Sequence, residues 1–287
     1  MNRSYGRSHA PASRPGHTRA VTSGLLSEAL APLRANRERA AILLDIDGTL
    51  SPIVERADDA HVPETTRQLL IRVARAYGIV ACVSGRRASE ARAMVSIGTI
   101  SYLGSHGVEL LRAGWTEAVL DPGVEDWARR VHEFGRETDT PDLRRRRVRF
   151  EDKGAIVAFH WRGATDEEAA RAAIDAIAAR AQAAGLRTHW GRKVLEVRPP
   201  VRIDKGAGIV SFLQDADVDA ALYVGDDTTD LDAFRALTEL LENGRLSHAI
   251  RAGVRSDDGP SEITREADVV VEGTKGVQEL LAALVTD

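Results

Sequence analysis

Between Ala40 and Ile53 the chain reads AAILLDIDGTLSPI. A continuous apolar run is the pattern of a strand buried on both faces, as in a parallel sheet covered by helices. This run ends in Asp45 and Asp47, two residues apart. Carboxylates beside an apolar core repel each other and resist desolvation. Such a strand end is tenable only where a positive group meets it. The stretch therefore constrains both the type of sheet and what must gather at its edge.

Five further apolar runs, at 79–84, 99–104, 221–226, 247–252 and 267–272, read as strands like 40–45. Amphipathic stretches separate them. ETTRQLLIRVARAYG repeats apolar residues at three and four and stops at Gly78, a good residue to follow a helix end. GVQELLAALV closes the chain as another helix. This alternation predicts an α/β fold with a parallel sheet. Residues 115–200 read differently, with the strand-like AIVAFHWR and KVLEVRP around one long helix. Thr165 and Glu168 form a capping box for that helix and Gly185 ends it. Arg192, Glu196 and Arg198 fall on one face of the second strand. We expect a core of residues 24–114 and 201–287 with a smaller α+β domain, 115–200, inserted as a cap. Residues 1–23 are Arg-, Ser- and Pro-rich and lack apolar periodicity, so they read as a disordered tail.

Composition removes several classes of function. With 43% hydrophobic residues, 29% charged and a net charge of -4, the chain is an ordinary globular one without a global basic field. The run RRRRVRF, 144–150, is its one basic cluster and reads as a solvated cap surface. Cys82 is the single cysteine and lies in the apolar GIVACV, as a buried thiol would. No apolar stretch approaches the ~20 residues of a membrane span, and no secretory signal core is present. The expectation is a cytoplasmic monomer with neither nucleic acid nor membrane as a partner.

Parallel strands present their carboxyl ends to one edge, so the residues there meet. The strand ends carry DIDGT, SGR (84–86), GSHG (104–107) and GDDTTD (225–230), and DKG (204–206) follows the insert. Asp45, Asp47, Asp226, Asp227 and Asp230 thus converge with Ser84, Arg86 and Lys205. Converging carboxylates call for a hard divalent cation, and Mg²⁺ leaves coordination sites for water and phosphate. Hydroxyls, backbone N–H groups of Gly-rich turns such as Gly85, and a lysine suit a phosphoryl group. A carboxylate kept ionised there can attack phosphorus, and a second can pass a proton.

DIDGT, SGR, DKG and GDDTTD, in this order, resemble the four motifs of the haloacid dehalogenase-like phosphatases over most of the chain. GSHGVEL, FEDKGAIVAFHWR, LEVRPPVRIDKG and GDDTTDLDAF together resemble the trehalose-6-phosphate phosphatase family. The resemblance implies a Rossmann-like core with a closing cap, and Mg²⁺-dependent hydrolysis of a small sugar phosphate through an aspartyl-phosphate. It implies Asp45 as nucleophile and Asp47 as general acid/base. Asp45, the Asp47 carbonyl and Asp226 would hold the metal, with Asp227 and Asp230 behind them. Ser84, Gly85 and Lys205 would bind phosphate. Arg86, His106, Glu151, Lys153, Arg162, Arg192 and Glu196 would face the substrate.

Overall fold

The computed structural model describes residues 23–54, 60–257 and 259–286. The expected tail, except for its last residue, lies outside them. The chain first lays down β1 (Ala40–Leu44), β2 (Ile79–Val83), β3 (Ser101–Gly104), β4 (Glu109–Leu111) and β5 (Val119–Leu120). It leaves for β6 (Arg149–Asp152), β7 (Val157–His160), β8 (Arg187–Gly191) and β9 (Val194–Arg198). It then returns with β10 (Ala220–Gly225), β11 (His248–Arg255) and β12 (Val269–Glu272). The large sheet has the order β12-β11-β10-β1-β2-β3-β4-β5, parallel from β12 to β3 and antiparallel beyond. The α/β fold with a mostly parallel sheet is thus the one expected from the alternation of runs.

Helices cover both faces. Ile42 and Leu44 of β1 point into one apolar cluster with α1 (Ser23–Ala29), α2 (Ala31–Ala35), α3 (Glu64–Ala76) and α4 (Ala88–Val95). Ala41 and Leu43 point into the other, with residues from the later helices of the core. This is the period of two of an extended chain, with both faces buried. Cys82 is buried in the first cluster, and burial pushes its thiol up.

The departing segment holds α5 (Pro122–Thr138), α6 (Pro141–Arg145) and α7 (Glu167–Ala183), with a second, antiparallel sheet of order β6-β7-β9-β8. Val157, Phe159, Leu195 and Val197 face α5 and α7 in a separate apolar core. The register puts Arg149, Glu151, His160, Glu196 and Arg198 on the other face. An amphipathic sheet with helices on one side leaves its polar side for something else. The chain then adds α8 (Lys205–Leu213), α9 (Asp230–Glu242), α10 (Ser261–Glu266) and α11 (Gly273–Leu284) to the core.

Three local readings are corrected. Asp166, not Thr165, caps α7, accepting the Ala169 N–H at 2.9 Å. A carboxylate is a strong N-cap, and the helix begins one residue later than the Thr-x-x-Glu spacing suggests. Gly78 does follow the end of α3, but the chain is already extended at Tyr77 and the glycine serves a close approach: a Cβ there would sit 1.9 Å from the Glu38 carbonyl oxygen. Arg192 is not in β9, which starts at Val194; it is exposed in the turn from β8, where Lys193 takes a left-handed backbone. The large sheet also takes in β5, which lies past the expected boundary at Gly114.

Candidate active site

Strand pairing delivers the acids. Asp45 follows the last residue of β1, and its N–H donates to Val224 O of β10 at 2.9 Å. Asp226 follows β10 directly, and Ser84 follows β2, donating its N–H to Leu103 O at 2.8 Å. Lys205 opens α8, which Asp204 caps by accepting the Ala207 N–H at 2.8 Å. Two glycines make room. A Cβ on Gly48, at φ +87°, would lie 2.1 Å from Asp226 Oδ2. One on Gly225 would lie 2.3 Å from Asp230 Cγ.

The buried Lys205 Nζ donates to Asp45 Oδ1 and to Asp230 Oδ1, both at 2.6 Å. Tyr223 OH also donates to Asp230 Oδ1, at 2.5 Å. Asp230 Oδ2 accepts the N–H groups of Asp226 and Asp227, each at 2.9 Å. Four donors use the full accepting capacity of that carboxylate. Asp230 is therefore fixed as the bracket that holds Lys205 and the turn after β10. Asp45 and Asp226 keep more freedom. Each commits one oxygen, to Lys205 and to Thr49 Oγ1 at 3.1 Å, and has a second for another partner.

Carboxylate oxygens of Asp45, Asp226 and Asp230 lie within 4.8 Å of one another. Three carboxylates against one ammonium leave the cleft negative. Burial works against the Lys205 ammonium, yet Asp230 and Asp45 outweigh it and hold it above its ordinary value. Burial pushes the Asp45 carboxyl well up in spite of Lys205. Burial and then Asp230 push Asp226 up to about 6, against the Thr49 hydrogen bond. A site short of positive charge and built of hard oxygen donors fits a divalent cation.

Around this centre Arg86 forms a bidentate pair with Asp47, Nε to Oδ2 and Nη2 to Oδ1, both at 2.7 Å. Its backbone N–H reaches Ser84 Oγ at 3.1 Å. The turn after β3 places Ser105, His106 and Gly107 in left-handed backbone, with φ of 50°, 60° and 98°. The His106 N–H donates to Ser84 O at 3.0 Å, and its ring lies against Gly85. Burial, then Lys205 and Arg198, lower the His106 imidazole to about 4. His106 thus feels both the core lysine and the cap. Ser105 Oγ donates to Lys153 O of the cap at 3.2 Å. Lys153 Nζ meets Glu196 Oε1 at 3.1 Å, and Arg198 Nε meets Glu196 Oε2 at 3.0 Å. Burial opposes the Glu196 carboxylate, but Arg198 and Lys153 prevail and hold its pKa down to about 2.

The structure thus brings together Asp45, Asp47, Ser84, Gly85, Arg86, His106, Lys153, Glu196, Lys205, Asp226 and Asp230. Asp227 is exposed, and its Oδ1 accepts the Thr228 N–H at 2.6 Å. Glu151 pairs with His160 Nε2 at 2.6 Å. Arg162 lines a groove with His160, and Arg192 stands apart in its turn. Sequence reasoning did not mark Tyr223 or Thr49. Thr49 belongs to the DIDGT stretch, whereas a tyrosine in an apolar strand carries no sign of where its hydroxyl points.

The family described as trehalose-phosphatase matches residues 43–269. Probable trehalose-phosphate phosphatase 9 of Oryza sativa subsp. japonica is 33% identical over 240 residues, 73% of this chain and 62% of that protein. An uncharacterized glycosyl hydrolase of Mycobacterium tuberculosis is 35% identical over 213 residues, 69% of this chain but 15% of that protein. The chain therefore spans less than two thirds of the length of these curated relatives. The C-terminal domain of a C. albicans trehalose-6-phosphate phosphatase superposes with a TM-score of 0.65 at 20% identity, covering 94% of this chain and 99% of that one. That likeness shows a shared fold. With the family match running from β1 into β12, across both sheets and the carboxylate cleft, the chain belongs to the trehalose-phosphatase family.

Proposed function

We propose that the protein hydrolyses trehalose 6-phosphate to trehalose and phosphate through an aspartyl-phosphate on Asp45. The observation that carries this reading is the buried chain Asp45–Lys205–Asp230, at hydrogen-bond distance throughout, beneath a polar cap face. Asp230 fixes the ammonium, and the ammonium aims an oxygen of Asp45. A nucleophile held this way loses little orientational freedom at the moment of attack. Lys205 also faces the charge on the transferring phosphoryl group, where preorganised charge is most effective. Mg²⁺ held by Asp45, Asp226 and the Asp47 carbonyl would supply charge neutralisation for the phosphoryl oxygens.

Asp47, released from Arg86 and protonated from solvent before the cap closes, gives that proton to the departing sugar oxygen, and later takes one from the attacking water. Arg86, freed, offers its fork to phosphate, joined by Ser84 Oγ and the Gly85 N–H. His106, Glu151, Lys153 and Glu196 hold sugar hydroxyls, and closure of the cap excludes water. Arg162 and Arg192 would join them only at the far end of the cap. Phosphate release should be followed with Mg²⁺ from trehalose 6-phosphate, sucrose 6-phosphate, glucose 6-phosphate and glucosylglycerol phosphate. The reading expects a preference of about a hundredfold for the first, roughly 2.7 kcal/mol of transition-state discrimination. Faster release from another of the four would keep the core chemistry and overturn the substrate.

A further inference from the structure

The run 144–147 is the one basic cluster of the sequence, and hydrolysis at the strand ends gives it no task. The fold does not leave it as a uniform charged surface. Arg145 and Arg146 turn onto Asp142, at 3.3 and 2.8 Å. Arg144, from the last turn of α6, and Arg147, just past its end, line a groove of about 1060 Å³ with Arg149 and Arg162. Arg147 enters it from a left-handed backbone, φ 58°, which a non-glycine residue seldom adopts. The one carboxylate among the lining residues is Asp139, which pairs with Arg144. Glu151 at the inner edge takes His160 at 2.6 Å and stands 3.5 Å from Arg149. Burial lowers the His160 imidazole. Guanidinium groups therefore outnumber the acids that face them.

Like charges around one concavity repel, and an anion with several oxygens relieves that repulsion. The guanidinium fork matches the oxygens of carboxylate and phosphate alike, and a multiply charged phosphate presents enough of them to engage several forks at once. The groove has the dimensions of a small-molecule site, whereas a nucleic acid asks for a basic stripe on a basic protein. Through Glu151 and Arg162 it borders the outer end of the sugar-facing cap surface, and it lies away from the catalytic carboxylates. β6 rises ~3.3 Å per residue, which puts Arg149 roughly 13 Å from Lys153, the residue that meets Ser105 of the core.

We propose that this cap groove binds a small, multiply charged phosphate compound at a site distinct from the catalytic centre. Inorganic tripolyphosphate is the probe, titrated calorimetrically into the full chain. The double variant Arg147→Ala/Arg149→Ala removes two exposed side chains, and Arg147→Gly suits the left-handed backbone should the first fold poorly. The expected result is tripolyphosphate binding that weakens at least about tenfold in either variant, since two or one of four forks are lost. Phosphate release by the variants, measured without tripolyphosphate, should stay within about twofold of the parent. Unchanged affinity in both variants would place the anion outside this groove and overturn the proposal. So would no binding by the parent chain. Tighter binding of a short RNA, lost in the same variants, would replace the small anion with a macromolecule and also overturn it.

Discussion

The strand ends and the cap face both gather charge, under opposite conditions. Asp45 and Lys205 are 4% exposed and Asp230 is fully buried. In the cap the side chains of Lys153, Glu196 and Arg198 are 35%, 14% and 27% exposed. Taking an ion pair fully out of water costs several kcal/mol per ion, and its mutual attraction offsets that only with good geometry. The buried trio is therefore an orientation device more than a source of stability. The half-wet trio of the cap is worth ~1 kcal/mol or less per pair, so its members can exchange one another for other polar partners at little cost. On the proposed reading, the nucleophile sits where charge is held fixed, and sugar recognition where it can exchange partners.

This contrast can be broken at several points. The largest effect belongs to Asp45→Asn, which should lower kcat by at least about 10⁴-fold with the fold intact by circular dichroism. Turnover at a parental rate would remove the covalent route. Asp230→Asn comes next. It leaves Lys205 with one carboxylate in a dry site, so denaturant unfolding should show a loss of about 3 kcal/mol. A loss below about 1 kcal/mol would mean the trio is not the rigid unit described. Glu196→Gln should act on the cap alone, raising KM by roughly tenfold while kcat moves by less than about threefold. If kcat fell instead, the cap would be part of the chemistry.

His106 tests the seam between the two. Its folded value of about 4 lies below the ordinary 6.5, so the fold prefers the neutral ring. The unfolded chain takes up a proton first as pH falls. The His106 contribution is thus fully present above pH 6.5 and is lost between 6.5 and about 4, by ~3 kcal/mol. His106→Asn tolerates the left-handed backbone and has no such proton. Its unfolding free energy should fall less steeply than the parent's over that window. Parallel curves would mean the ring is not buried as described. The smallest effect is Asp166→Ala, about 1 kcal/mol of stability from the lost cap of α7 and no change in kcat.

How much was legible depended on where an element lies in its sheet. β1, β2, β3, β10, β11 and β12 are covered by helices and read as plain apolar runs. In the cap, β7 and β9 are the inner strands and their apolar residues revealed them. β6 and β8 are the edges, reading RFED and RTHWG, and nothing in those residues reports a ladder on one side only. β5 escaped for the same reason, and β4, though paired on both sides, is too short for its apolar residues to show a period. In the site, convergence of Asp45, Ser84 and Asp226 follows from parallel strands ending together, so it was visible. The saturation of Asp230 by four donors was not, because it depends on how the turn after β10 folds back. Nor was the pairing of Asp47 with Arg86, which joins the ends of two strands through side-chain reach alone.

The close approaches at Gly48 and Gly225 carry a consequence for how this protein tolerates change. Each missing Cβ is room that an aspartate already fills. In a saturation survey of all single substitutions, scored by surviving phosphate release, these glycines should be as intolerant as the acids they touch. Alanine, the mildest replacement elsewhere, should rank there with the severe ones. The floor of the cleft is drawn by atoms the chain omits, and selection would act on that omission as strictly as on any charged group.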